Sequence, residues 1–490
     1  MKPLPLAAVC LGLALLTFFG YPGHTWLQQD TQIYVPILEH DRDPAVLRND
    51  LLVQDPHVAF TLYDEVARGL RAVSGQGFRE VLQAQQIVTR ALAIWGFYLL
   101  ATALGLSSGA ALLVAAFCAL GATITGPQVL SFEYEPTPRA FAVPLLFCAM
   151  GLAAHRRYLG ASLAAAAAFL YHPPTALPFW GLFLLLWWGR RFRLLLLAPL
   201  AVAAVILALA AHGEGGQAFF GQLTPWQEQL QRMRAPYAWI STWHAAWIVQ
   251  YCLLCLIGIA AFLRLRRKMT LEIEVFLLGL PLLGMLSMPL SWLLLERAKW
   301  VLMPQVQPLR LLLFVTVAAQ FLSAAAGARA AMSRRWLPAA GWLAMAYLIA
   351  TQPVFTERPQ PVWPPLRVAY PALHTAALDQ LSAWARASTP SDAVFLFPDA
   401  GHGLASGIFR ADALRAIFVD WKSGGQVNYR KDFAEQWWAR WQLAKNGPID
   451  LPRYEAFGIS YIVLKPEHRL LQPAAYQNAA YVVYAVQHSR

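Results

Sequence analysis

The chain alternates long apolar runs with short polar stretches. A membrane-spanning helix needs about 20 mostly apolar residues. Eleven runs approach that requirement: 4–22, 87–104, 108–126, 138–154, 158–171, 175–188, 194–211, 245–263, 271–292, 309–327 and 336–350. The fifth and sixth are short and separated by Tyr171-His172-Pro173-Pro174, so they are expected to tilt or re-enter; Pro281 and Pro289 are expected to interrupt the ninth. The segments after the even-numbered runs carry His155-Arg156-Arg157, Arg190-Arg191-Phe192-Arg193, Arg264 to Lys268, and Arg329 with Arg334-Arg335, twelve Lys and Arg without an acid among them. Positive loops stay in the cytoplasm. The predicted topology therefore has a cytoplasmic N-terminus. Residues 23–86, 127–137, 212–244, 293–308 and everything after 350 fall on the extracytoplasmic side.

The polar parts carry patterns of their own. In the long first loop, 23–86, Ala45–Leu52 and Tyr63–Val73 space their apolar residues as amphipathic helices that could lie on the bilayer surface. After Thr351 the composition shifts. A Pro-rich linker, 351–371, leads into residues 372–490, where helical and strand periodicities alternate. His374–Arg386 and Phe433–Lys445 read as helices, and Ala393–Phe397, Ala416–Val419, Tyr461–Leu464 and Tyr481–Val486 as strands. The expected fold is mainly α: a polytopic membrane protein with about eleven transmembrane helices in residues 1–350, followed by a small extracytoplasmic α/β domain.

Composition agrees. The 490 residues are 58% hydrophobic and only 13% charged, where a soluble domain carries about 25% charged residues. The net charge of +12 would suggest nucleic acid if it formed a soluble patch. Many of the basic residues lie instead in short loops between spans, so topology explains the charge and no nucleic-acid partner is expected. All five cysteines, Cys10, Cys118, Cys148, Cys252 and Cys255, sit in apolar runs, which argues against a disulfide framework. No small-x-small cleavage site follows the first run, which reads as an uncleaved span. Neither a Walker A loop nor a dinucleotide glycine fingerprint occurs.

The candidate chemistry gathers in the segments assigned to one side. Gln28 to Pro44 follows the first span at once and holds Asp30, Tyr34, Glu39, His40, Asp41 and Asp43. A carboxylate at the edge of a low-dielectric region can have a raised pKa, which suits a general base, and Asp30 is placed for that role. Some of these carboxylates could hold a divalent cation such as Mg or Mn, although no spacing demands one. The second loop contributes Glu133 and Glu135, with Arg139 at the mouth of the fourth span. His172 ends the fifth. Arg297 and Lys299, then Gln307-Pro-Leu-Arg310, put three cations on the side that the positive-inside rule disfavours, which suits them to hold a lipid phosphate or diphosphate.

Taken together these features resemble the GT-C superfamily of polyprenyl-phosphate-sugar-dependent membrane glycosyltransferases, especially bacterial members whose first loop reads roughly Asp-x-x-x-Tyr-x-Pro. Here that is Asp30-Thr-Gln-Ile-Tyr34-Val-Pro36. Pro138-Arg139-x-x-Ala, Tyr171-His172-Pro173, Gln307-Pro-Leu-Arg310 and Ile417-Phe-Val-Asp420-Trp-Lys422 also match. The resemblance implies an acid, Asp30, that activates an acceptor while a sugar leaves a lipid phosphate with inversion, in the inner membrane of a bacterium. It implies a lipid-phosphate sugar donor and membrane lipids as partners. Tyr34, His40, Asp41, Glu133, Glu135, Arg139, His172, Arg297, Lys299, Gln307 and Arg310 become candidate substrate contacts. The second acid that many members carry beside the first is replaced by Gln29 and Thr31. Two other classes stay open: a transporter or flippase, which predicts charges at midmembrane and internal symmetry, and a non-catalytic assembly subunit.

Overall fold

In a computed structural model, which describes residues 3–54, 61–186, 193–210, 220–351, 361–362, 367–368, 373–445 and 449–486, each apolar run contains a helix, the third of which ends at Ala119 before a short strand, Thr123–Ile124. The helices are Pro3–Phe19, Phe78–Ala103, Ser108–Ala119, Pro138–Ala154, Tyr158–Tyr171, Pro173–Leu186, Arg193–Ala210, Ala245–Leu265, Leu271–Ser291, Leu312–Met332 and Trp336–Thr351. Among the described residues four helices, Phe78–Ala103, Ala245–Lys268, Leu271–Arg297 and Met303–Met332, are long and apolar enough to cross a membrane, and seven apolar helices are shorter. The ninth run does not break at Pro281. It stays α-helical to Ser291 and loosens into a π-turn, Trp292–Arg297, after Pro289.

Two helices form the centre of the bundle. Pro138–Ala154 is buried along its whole length, and Leu312–Met332 is buried from Leu312 to Ala328. Small residues let backbones meet there: a Cβ on Gly96 would lie 2.3 Å from the Phe147 carbonyl oxygen, and one on Gly151 would lie 2.4 Å from that of Gly96. At the periphery, Ala245–Leu265 exposes Val249, Leu253, Leu256, Ile259 and Leu263. An apolar stripe at helical spacing that faces outward is the surface expected of a lipid-facing helix. The basic loops collect at one end of the bundle. His155 meets Thr102 and the Leu99 carbonyl, Arg329 meets the Leu104 carbonyl, and Arg156 pairs with Glu272. Arg190 and Arg191 lie outside the described residues.

At the other end residues 373–486 build a mixed five-stranded sheet in the order Ala416–Ile417, Val394–Leu396, Tyr461–Leu464, Val482–Ala485, Tyr476–Gln477. The first two junctions are parallel and the last two antiparallel. Strand alternation sorts the side chains into two layers. Val394, Leu396, Ile462, Leu464, Val482 and Tyr484 pack with Phe433, Trp437 and Trp441. Phe395, Ile417, Val463 and Val483 pack with Leu378, Leu381, Ile408 and Phe409. Both layers also take residues from earlier in the chain: Leu27 and Val35 complete one, Leu51 and Leu230 the other. The unit is therefore docked on the first loop through shared apolar core.

Two expectations need correction. Ala45–Leu52 is mostly turns, and only Leu51–Gln54 is helical. The Asp43 and Asp50 carboxylates accept the amides of Ala45 and Leu52, which favours turns over a helix. The strand expected at Ala416–Val419 ends at Ile417, although the Phe418 amide still bonds to the Phe395 carbonyl at 2.8 Å. The Pro-rich linker, 351–371, lies outside the described residues except for Thr351, which ends a helix, and a strand pair, Pro361–Val362 with Arg367–Val368.

Candidate functional site

Asp30 owes its position to Glu135. The first helix ends at Phe19, and the chain then runs irregularly to Asp30. Glu135 gathers this stretch with both carboxylate oxygens. Oε1 accepts the amides of Gln28 and Gln29 at 2.6 and 2.8 Å and the Thr25 hydroxyl at 3.4 Å. Oε2 accepts the Thr31 amide at 2.9 Å and its hydroxyl at 2.7 Å. Helix Thr31–Arg42 starts from that clamp, with the Asp30 carbonyl accepting the amides of Ile33 and Tyr34. The Asp30 side chain makes no capping bond, so its carboxylate is left for other contacts, and 40% of it is open to solvent.

Three cations from three distant parts of the chain act on that carboxylate. Lys422 Nζ lies 2.7 Å from Asp30 Oδ1. Arg139, the residue after the Pro138 that starts a central helix, is held by Glu133 Oε1 at 2.8 Å from its Nε. Arg310 sits in the 3-10 turn Pro308–Leu311, reached through Gln307 in the left-handed conformation at φ 49°. Among the described residues Arg310 makes no ion pair, and its buried Nε has no acceptor; the buried Gln307 Oε1 also has no donor. The raised pKa expected of Asp30 is overturned: burial raises it, but Lys422, through charge and hydrogen bond, and then Arg139 and Arg310 outweigh burial and hold it at about 2. Burial opposes the charge on Lys422, and Asp30 more than offsets that, so its ammonium is held above the ordinary lysine range. Tyr34, one helical turn beyond Asp30, is pushed upward by burial and then by Asp30. Its ring packs 5.2 Å from that of Tyr63. Tyr429 is likewise raised by burial and feels both Arg310 and Asp30.

A buried charge network fixes the turn that carries Lys422. Arg410 is 1% exposed and binds Asp50 Oδ2 at 2.8 Å through Nε, and Asp420 Oδ1 through Nη2. The second Asp420 oxygen accepts the Ser423 amide, and the Asp420 carbonyl accepts the Trp437 indole at 2.9 Å. Arg234 lies 3.6 Å over the Trp421 ring and donates to the Trp421 carbonyl at 2.6 Å. Asp50 also accepts the Ile417 amide. The first loop and the C-terminal unit are thus locked together at the point from which Lys422 reaches Asp30.

The residues singled out in the sequence divide. Asp30, Tyr34, Arg139 and Arg310 come together; Glu133 holds Arg139, and Glu135 holds the main chain on either side of Asp30. His40 and Asp41 sit at the far end of helix Thr31–Arg42, about 15 Å from Asp30 at 1.5 Å per residue, and His40 Nδ1 pairs with the Val46 carbonyl at 2.7 Å. His172 caps the following helix through Thr175, 2.9 Å from its hydroxyl. Lys299 pairs with Glu228 at 2.7 Å, and Arg297 is exposed and lies over the Trp292 ring. Gln307 shapes the turn before Arg310. Lys422 and Tyr429 had no assigned role in the sequence; the Asp420-Trp-Lys422 stretch was the sole signal. The donors around Asp30 suit a divalent cation poorly. One carboxylate is open there, three cations act on it, and Glu133 and Glu135 are committed elsewhere. Among the described residues the group with metal-ligand spacing is His374, Asp379 and Asp412, in the C-terminal unit.

Known proteins place this geometry in a wider setting. Residues 376–444, which include Lys422 and Tyr429, match a family described as a domain of unknown function, DUF6798. No curated protein matches the chain. Among solved structures, the arabinofuranosyltransferase AftD from Mycobacteria matches over 100% of this chain and 40% of its own, at 15% identity and a TM-score of 0.53. A mutant form of that enzyme matches over 100% and 42%, at 17% identity and a TM-score of 0.50. An oligosaccharyltransferase from Archaeoglobus fulgidus matches over 95% and 69%, at 11% identity and a TM-score of 0.38. The chain spans about two fifths of the length of the AftD chains it matches. The likeness is one of fold: the chain folds as the matched part of AftD does.

Proposed function

We propose that the chain is an inverting glycosyltransferase of the bacterial inner membrane. It moves a sugar from a polyprenyl-phosphate donor to an acceptor hydroxyl on the extracytoplasmic face, with Asp30 as the base and without a metal on Asp30. The observation that carries this reading is a single open carboxylate acted on by Lys422, Arg139 and Arg310, at the end of the bundle opposite the basic loops. The charge pattern supports the extracytoplasmic side, because basic loops favour the cytoplasm. A transporter would be expected to keep its functional charges at midmembrane; here they gather at one end.

The chemistry follows from the charges. Asp30 accepts the proton of the acceptor hydroxyl, and the acceptor oxygen forms a bond to the anomeric carbon. The bond from that carbon to the phosphate oxygen breaks, and its electron pair leaves with the phosphate. Arg310 and Arg139 place positive charge where that negative charge grows. The isoprenoid tail stays in the bilayer against the apolar helices.

The test is sugar transfer by the purified full chain in detergent. It uses a panel of polyprenyl-phosphate sugars, wild type beside Asp30→Asn, with and without chelator. Expected is a fall of about 10²- to 10⁴-fold in the variant and no effect of the chelator. Equal transfer by both proteins would remove Asp30 as the base, and loss of transfer with chelator would overturn metal independence. Wild type inactive with every donor would favour a transport or assembly role.

A further inference from the structure

Lys422 comes from the C-terminal unit, 392 residues from Asp30, yet it holds the carboxylate that must act as base. While it does, Asp30 is a poor proton acceptor, because an ammonium hydrogen bond occupies one of its oxygens. The pair is also more accessible than the charges behind it. Asp30 is 40% and Lys422 20% exposed, against about 1–2% for the Arg410 pairs behind it. Lysine is a point charge on a flexible stem. Its backbone, by contrast, is fixed by the Asp420 bonds to Arg410, Ser423 and Trp437. The side chain can swing while its base stays in place. Arg310 acts on the same carboxylate and has no ion-pair partner among the described residues, which leaves a cation for an incoming anion.

Resting on the reading of a lipid-phosphate donor, we propose that Lys422 is exchanged between Asp30 and the donor's phosphate, so that arrival of the donor frees the base. The lysine stays protonated throughout. It leaves the carboxylate for the phosphate oxygens beside Arg310, and it remains there as the breaking sugar–phosphate bond delivers its electron pair. Asp30 then takes the acceptor proton. The module that spans 376–444 thereby has a chemical role: it makes the base available only when a donor phosphate is present.

The test measures binding rather than transfer, by calorimetry on the full chain in detergent. The ligands are a short-chain prenyl phosphate, the corresponding prenol and inorganic phosphate; the proteins are wild type, Lys422→Met, Lys422→Arg, Asp30→Asn and the Asp30→Asn/Lys422→Met double variant. Expected is prenyl phosphate binding about tenfold weaker in Lys422→Met and close to wild type in Lys422→Arg. Asp30→Asn should bind about two- to fivefold tighter, because Lys422 no longer has a competing partner. Removing a negative charge near the phosphate could produce the same gain, and the double variant separates the two causes. Exchange predicts that the gain disappears in the Lys422→Met background. An undiminished gain there, or wild-type binding by Lys422→Met, would overturn the proposal while leaving the donor class intact. Inorganic phosphate bound as well as prenyl phosphate would assign the site to a free anion and overturn exchange with a donor. A wild type that does not prefer prenyl phosphate to prenol would overturn the donor class as well.

Discussion

Arg410→Met tests whether the buried network behind Lys422 holds the site together. Arg410 and Asp420 are each 1% exposed and Asp50 is 2% exposed, and the guanidinium stands between the two carboxylates. Methionine fills much of the volume but leaves two buried acids facing each other without a cation. Breaking a buried pair in this way costs about 3–5 kcal/mol. The expected result is a clearly lower melting temperature in detergent, with sugar transfer reduced because the turn of Asp420 to Ser423 is no longer anchored. The pH dependence gives a second readout. In the wild type burial raises the pKa of Asp420, but Arg410 and the Ser423 hydrogen bonds outweigh it and lower it. Its contribution is therefore present above the ordinary carboxylate range and is lost only as pH falls through the lowered value. In the variant the carboxylates lose that cation, and taking up a proton relieves them. The stability gap should then narrow as pH falls from neutral towards the ordinary carboxylate range. Melting curves at matched scan rates decide the matter. A variant that melts with the wild type, or a gap that widens towards acid, would refute the reasoning.

Three further perturbations separate roles. Glu135→Gln keeps the shape but places an amide where Thr31 donates, so Asp30 loses its fixed start of helix; kcat should fall about ten- to a hundredfold with KM for the donor little changed. Gly96→Val would drive a side chain into the Phe147 carbonyl, and the two packed helices must part, with a loss of roughly 1–3 kcal/mol seen as a lower melting temperature. Arg310→Met should raise the donor KM by about tenfold or more, whereas Arg297→Met should change it little, because Arg297 is exposed and rests on Trp292. Steady-state transfer assays on the pair of variants measure this directly.

Much of the bundle was legible in the chain because the signal for a membrane helix is local. About 20 apolar residues in a row must satisfy their own backbone in lipid, whatever surrounds them. The same holds for the alternation that sorted Val394, Phe395 and Leu396 onto opposite faces of a strand. Asp30, Arg139 and Arg310 could be picked out because charged residues near the ends of apolar runs stand out from their neighbours, and Tyr34 because it completes the Asp-x-x-x-Tyr-x-Pro pattern. What tertiary structure alone decided was who meets whom. His40 and Asp41 looked like neighbours of Asp30, and a helix carries them about 15 Å away. Glu135 looked like a substrate contact, and it holds the main chain of Gln28, Gln29 and Thr31 instead. Lys422 looked like one basic residue among many, and it is the partner of Asp30. A hydrophobic period is repeated in every turn of a helix and can be read from a short window. A single pairing across 392 residues depends on a folded loop, a docked sheet and a buried arginine, and none of these leaves a periodic trace in the sequence.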